Sequence, residues 1–258
     1  MILMFRRTTF LCFGLIVFGN LILLSFDSTL HPIMMFLISF IIAATYAVKL
    51  INEIAEICTQ KCDPYEFIER YEKVLKRRIG KARTFVLISL SSGYLTAGNS
   101  QKAKQILDSV SKVSNNKAGI LNKTCYFNNL CSYYLQVNDI TNAESMLENM
   151  LEVLKNEKYP KQNYDLVYNF YIGKQYLINI AKGNYTGAEE VFSIQFNREK
   201  NKLGRVVAKY HLGKVYLNFN KLEEATEAFE YVVNNGNKTC YVDEAIDFIN
   251  QCKAGEPT

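Results

Sequence analysis

The chain has 258 residues and a formal net charge of +5, a mild excess that only weakly favours acidic partners or a lipid surface. It is 49% hydrophobic, with 17 Tyr, 16 Phe, no Trp and only 4 Pro, which suits a helical protein with a well-filled core and allows a membrane piece plus one soluble domain. The 7 Cys are odd in number, which excludes a fully paired disulfide framework and fits reduced cytosolic thiols.

Thr8 to Phe26 is a run of 19 uncharged residues, interrupted only by Asn20 and two glycines; Pro32 to Val48 is a second uncharged run, of 17. About 18 to 20 apolar residues span a bilayer as a helix. Only Asp27-Ser28-Thr29-Leu30-His31 joins the runs, so residues 1–50 read as a transmembrane helical hairpin of two spans. Arg6 and Arg7 precede the first span and Lys49 follows the second, while the turn carries Asp27 and no Lys or Arg. The positive-inside rule then places both ends in the cytosol. A rival reading takes the first span as a cleaved signal peptide; the length of the run and the lack of a small-x-small site before Asp27 speak against it.

Residues 51–83 read as amphipathic linker helices. Ile51, Ile54 and Ile57, with Glu53 and Glu56 between them, carry the second span on to about Gln60. Asp63-Pro64-Tyr65-Glu66 then starts a new helix: Asp as N-cap, Pro at the first position and Glu at the third. That helix, Pro64 to Ile79, carries Phe67, Ile68, Tyr71, Val74 and Leu75 on one side and is expected to pack on the first of the helix pairs beyond it. Lys73, Lys76, Arg77, Arg78, Lys81 and Arg83 form a dense basic cluster. Two readings fit it: contact with anionic lipid head groups beside the membrane, or a solvated face that reinforces cytosolic retention. A nucleic-acid partner is not expected, since an anchor restricts access and no binding module is visible.

Residues 84–258 are organised by a recurring four-part pattern, an Ala followed by apolar residues at +3 and +4 with Gly or Asn at −5. Ala103, Ala143, Ala188 and Ala225 satisfy it, with Gly98, Asn138, Gly183 and Asn220 before them. Tyr94, Tyr134 and Tyr216 stand at −9 in three of the four. Around the last, Leu212, Gly213 and Tyr216 precede Ala225 and Phe229, the L-G-x2-Y…A-x3-F skeleton, lacking only the early Trp, where Lys209 stands. The stretch resembles a tetratricopeptide repeat, a pair of antiparallel helices. The third copy departs: Asn179 is at −9, and Ile172-Gly173-Lys174-Gln175-Tyr176 matches three residues too early, so its first helix is longer by about a turn or shifted in register. Successive anchors lie 40, 45 and 37 residues apart, longer than the about 34 of the standard repeat. The fold expected is all-α: the hairpin, then a tetratricopeptide-like solenoid of about four repeats. Helix pairs fall near 84–97 and 100–113, 119–137 and 140–156, 163–182 and 185–198, and 203–219 and 222–235, with a closing helix from Tyr241 to Cys252.

Nothing in the sequence assembles chemistry. No G-x-S-x-G, P-loop or dinucleotide fingerprint is present, and His211 lies in a packing helix beside Leu212. Cys58-x3-Cys62 lacks further ligands for zinc, since His31 and His211 are the only histidines. No enzyme activity, cofactor or metal is expected. Asn122-Lys-Thr124, Asn184-Tyr-Thr186 and Asn237-Lys-Thr239 match the N-glycosylation sequon.

The resemblance implies a groove, lined by the first helices of the repeats, that takes an extended peptide or a partner helix. Carried over in the Tyr register, the inward positions are Phe85, Ile88, Ser92, Leu95 and Thr96, then Cys125, Asn128, Ser132, Leu135 and Gln136, then Val207, Tyr210, Lys214, Leu217 and Asn218. Leu95, Leu135 and Leu217 fit the core equally well. The set lacks the Lys/Arg/Asn arrangement by which some family members clamp a terminal carboxylate. These features point to a membrane-anchored adaptor holding a protein or peptide partner at the cytosolic face, whose soluble fragment from about Lys61 would fold alone. The alternative makes the hairpin the active part, joining a transporter or secretion complex with Gly14, Gly19 and Asn20 packing against it; only then would an unrelated two-span anchor abolish function. Asn/Lys/Ile/Tyr-rich usage points to an AT-rich genome such as a low-GC bacterium, hence to a bacterial plasma membrane.

Overall fold

The computed structural model describes residues 30–76, 80–110, 117–155 and 161–254. The first expected span and residues 27–29 of its turn lie outside them, as do Arg77 and Arg78. The described chain is all-α, with no strand: α1 (Leu30–Thr59), α2 (Pro64–Leu75), α3 (Gly80–Thr96), α4 (Ser100–Asp108), α5 (Lys117–Gln136), α6 (Ile140–Leu154), α7 (Lys161–Ala181), α8 (Ala188–Arg198), α9 (Lys202–Asn218), α10 (Leu222–Asn235) and α11 (Cys240–Ala254). Two compact units divide it, one up to Glu53 and one from Ile54.

In the first unit, α1 exposes most of its large apolar side chains, while Ser39, Tyr46 and Leu50 on one face are half-buried. Phe36 is 67% exposed and Phe40 65%, and Leu37, Ile38, Ile41, Ile42 and Val48 are also exposed. Phe36–Thr59 is the one helical stretch among the described residues that is long and apolar enough to cross a membrane, by length and composition. Its last turn belongs to the second unit, where Ile54, Ile57 and Cys58 are buried.

The second unit is built from helix pairs. Helix α3 packs on α4, α5 on α6, α7 on α8 and α9 on α10, while α11 covers α10. The first helices also stack on one another, α3 on α5 and α5 on α7. Helix α2 packs along α3, so residues from Ile54 onward join the pairs in one unit. Its start is set as the sequence indicates: Pro64 opens it and the Asp63 carboxylate accepts the Glu66 amide at 3.0 Å. It ends at Leu75, short of Gly80, and α4 ends at Asp108, short of 113.

The pairs share one local design. Ala103, Ala143, Ala188 and Ala225 are each 0% exposed, because only a methyl fits where two helices approach closely. Gly98, Asn138, Gly183 and Asn220 all adopt the left-handed backbone that ends a helix (φ +77, +57, +81 and +55). In each turn the amide of the next residue closes back on the helix, Asn99 to Tyr94, Asp139 to Tyr134, Asn184 to Asn179 and Lys221 to Tyr216, at 2.8 to 2.9 Å. Asn179 therefore occupies the Tyr position of the third pair.

That alignment puts Tyr176 where Gly213 sits in the fourth pair. At Gly213 a side chain would come within 2.6 Å of the Phe229 ring. A tyrosine there needs room, and the partner helix gives way. Helices α4, α6 and α10 begin three residues before their anchor Ala, whereas α8 begins at Ala188 itself. Gly187, at φ +74, replaces the lost turn, and a Cβ there would lie 3.2 Å from the Tyr176 hydroxyl. Adjacent pairs are tied from equivalent acidic positions, each one residue after its anchor Ala: Glu144 bonds Lys182, just before Gly183, and Glu189 bonds Lys221, just after Asn220, at 2.9 Å.

Candidate partner-binding face

The inward positions of the first helices divide between open and covered. Phe85, Gln136 and Asn218 reach the surface to differing degrees, Ser92, Asn128, Ser132 and Lys214 are half-buried, and Ile88 and Tyr210 are buried. On α3 and α5 they meet through the backbone. The Asn129 side-chain amide donates to the Ile88 carbonyl at 2.9 Å and the Ser91 hydroxyl at 3.0 Å, and Gln136 donates to the Leu95 carbonyl at 3.2 Å. Asn128 donates to the Asn129 side-chain oxygen at 3.3 Å, and the Ser132 hydroxyl to the Asn128 carbonyl at 3.0 Å. On α9, Tyr210 turns toward the closing helix. Its hydroxyl donates to Glu244, its ring lies 5.0 Å from that of Tyr241, and the Lys214 ammonium sits 5.6 Å above it. Burial and the Glu244 carboxylate push the Tyr210 hydroxyl up, so it remains a donor.

The residue five before each Tyr-equivalent position forms a polar row that motif matching missed: Ser89, Asn129, Lys174 and His211. Ser89 and Asn129 reach back by hydrogen bonds, and Lys174 and His211 interact electrostatically with the first helix before theirs. Ser89 bonds Tyr71 of α2, Asn129 bonds α3, Lys174 lies near Cys131 of α5, and His211 feels Lys174 of α7. Fixing the register of the third pair is what makes the row visible. Burial pushes the Lys174 ammonium down, and no carboxylate pairs with it among the described residues. His211 packs against the Phe192 ring at 5.2 Å. Burial first, then Lys214 and Lys174, push its imidazole down to about 3.

His211 therefore stays neutral in the folded chain while the unfolded chain takes up a proton below its ordinary value of about 6.5. Its contribution is fully present above that pH and is lost as pH falls toward about 3. We expect thermal unfolding of the detergent-solubilised chain to show a loss of at most about 1.4 kcal/mol per pH unit from this one group. His211→Gln should flatten that slope and leave stability above about pH 7 within about 1 kcal/mol of wild type. Parallel slopes would rule the imidazole out as its source.

Cys58, Cys62 and Cys131 are buried, and Cys125 and Cys240 are half-buried, all free. Burial pushes the Cys125 and Cys240 thiols up to about 11. The folded chain is expected to alkylate at these two sites about a hundredfold more slowly than an ordinary thiol, the deficit vanishing in denaturant. Of the basic cluster, Lys73 pairs with Glu69 one turn away, and Lys76 and Arg83 are exposed. No group of three or more His, Cys, Asp or Glu gathers among the described residues.

Comparison of the chain with protein-family models, curated proteins and solved structures finds no match.

Proposed function

We propose that this protein is a membrane-anchored, tetratricopeptide-like scaffold that holds a protein or peptide partner at the cytosolic membrane face. The observation that carries the reading is the row of exposed large apolar side chains on α1, Phe36, Leu37, Ile38, Phe40, Ile41, Ile42 and Val48, in a helix long and apolar enough to cross a membrane. Large apolar side chains left this exposed, such as Phe36 and Phe40, belong in an apolar solvent. Stacked first helices presenting side-chain amides and hydroxyls suit an extended segment better than a small substrate.

Topology tests the anchor. The native thiols are poor reporters because burial slows their alkylation, so Lys102→Cys on the exposed face of α4 is the better site. We expect the chain to resist alkaline extraction and the introduced thiol to react with an impermeant maleimide only after permeabilisation. Recovery in the alkaline supernatant would remove the anchor, and labelling of intact cells would reverse the orientation. A reversed chain in a glycosylating host should be modified at Asn184 alone of the three sequons. Its turn is exposed, whereas Thr124 and Thr239 of the other two are buried.

A further inference from the structure

The two ends of the helical unit meet. Cys62, 0% exposed, sits in one cluster with Val206 and Tyr210 of α9, Phe229 of α10, and Ala245 and Ile249 of α11. Four polar ties flank it. The Lys238 amide donates to the Cys62 carbonyl at 3.2 Å and the Lys238 ammonium to Asp63 at 2.6 Å. Asn237 donates to the Lys61 carbonyl at 2.8 Å, and the Lys202 amide to Gln60 at 3.3 Å. A second contact lies alongside, where the Cys240 thiol faces the Leu95 carbonyl at 3.8 Å.

This closure is built differently from the rest of the unit. Cys62 holds a left-handed backbone at φ +52, while every other non-glycine in that region among the described residues is Asn, which tolerates it. The Thr239 hydroxyl is buried with no partner among the described residues. The ion pair is half-open: the Lys238 side chain is 57% exposed while the Asp63 side chain is 11% exposed, so Lys238 is the charge partner of a largely buried carboxylate. A left-handed non-glycine backbone and an unmet hydroxyl are thus concentrated at one seam, where they cost free energy that the surrounding packing offsets. The last pair shares its core with Cys62 through Val206, Tyr210, Ala225, Phe229 and Val232, whereas the second and third pairs are held by clusters that the seam does not enter.

We propose that residues 60–63 and 237–240 form a latch that opens as a unit while the helix pairs stay folded. Opening separates α2 and α3 from α9 to α11 and uncovers the outward side of Tyr210 and the inner ends of the first helices. It does not depend on any partner.

Native-state hydrogen exchange on the full chain in detergent tests this, read on peptides covering 61–66, 236–242 and 206–215. In wild type the first two are expected to exchange at matching rates, at least about tenfold faster than the third. Lys238→Glu, which faces Asp63 with a like charge, should accelerate both of the first two by about tenfold and leave 206–215 unchanged. Exchange of all three at one rate in wild type would overturn the proposal, since the seam would then open only with the whole unit. Acceleration confined to 236–242 in the variant would also overturn it, reducing the effect to local fraying. Should the variant fail to fold, the wild-type comparison decides alone.

Discussion

A fragment beginning at Glu53 is expected to fold as a soluble, cooperative helical unit, and one beginning at Lys61 to melt roughly 10–20 °C lower. The shorter fragment lacks Ile54, Ile57 and Cys58, all buried in the second unit, together with the Gln60 side chain that receives the Lys202 amide. Burying such side chains is worth roughly 1.5–3 kcal/mol each, so about 5 kcal/mol is at stake. That is a large share of the roughly 5–15 kcal/mol by which a domain is stable. Paired circular-dichroism melts decide it. Equal midpoints would mean that the last turn of α1 only rests on the unit, and that the fragment read from sequence as self-sufficient is so after all.

The reason this boundary was not legible is physical. Ile51, Ile54 and Ile57 share one spacing, and periodicity alone cannot say that Ile51 is exposed while the next two are buried. Contact between the ends leaves even less trace, since Asp63 and Lys238 are 175 positions apart and no local pattern encodes their meeting. What is local was readable. The Ala anchors, the left-handed Gly and Asn residues and the Asp63 cap each depend on a few neighbours along one or two helices. The third pair sits between these cases. Its L-G-x2-Y match is real as sequence and misleading as register, because the hydrogen bond from Asn184 to Asn179 sets the turn and leaves Tyr176 in the glycine place. The same limit explains Tyr210, which the resemblance puts on an inward face and the structure covers with Tyr241 and Phe248 of α11.

Gly213 and Phe229 should show the largest single-site effects, and their signs should depend on each other. Phe229 is 0% exposed and stacks on Phe248, with ring centroids 4.9 Å apart and planes at 17°. Phe229→Ala is expected to cost about 3–5 kcal/mol, the ordinary range for emptying a buried aromatic site. Gly213→Ala sets two effects against each other. Alanine favours a helix over glycine by about 1 kcal/mol, but its methyl would lie 2.6 Å from Cε1 and Cζ of Phe229. A ring pinned against Phe248 cannot swing aside, and overpacking of this kind costs about 1–3 kcal/mol. The clash should win, leaving Gly213→Ala net destabilising in the wild-type chain. With Phe229→Leu in place, the ring is gone and only the helix preference remains, so the same Gly213→Ala substitution should stabilise. Denaturant midpoints of the four chains in this cycle give the coupling, expected at about 1 kcal/mol or more. A destabilisation of equal size in both backgrounds would show that the glycine is required for something other than the ring.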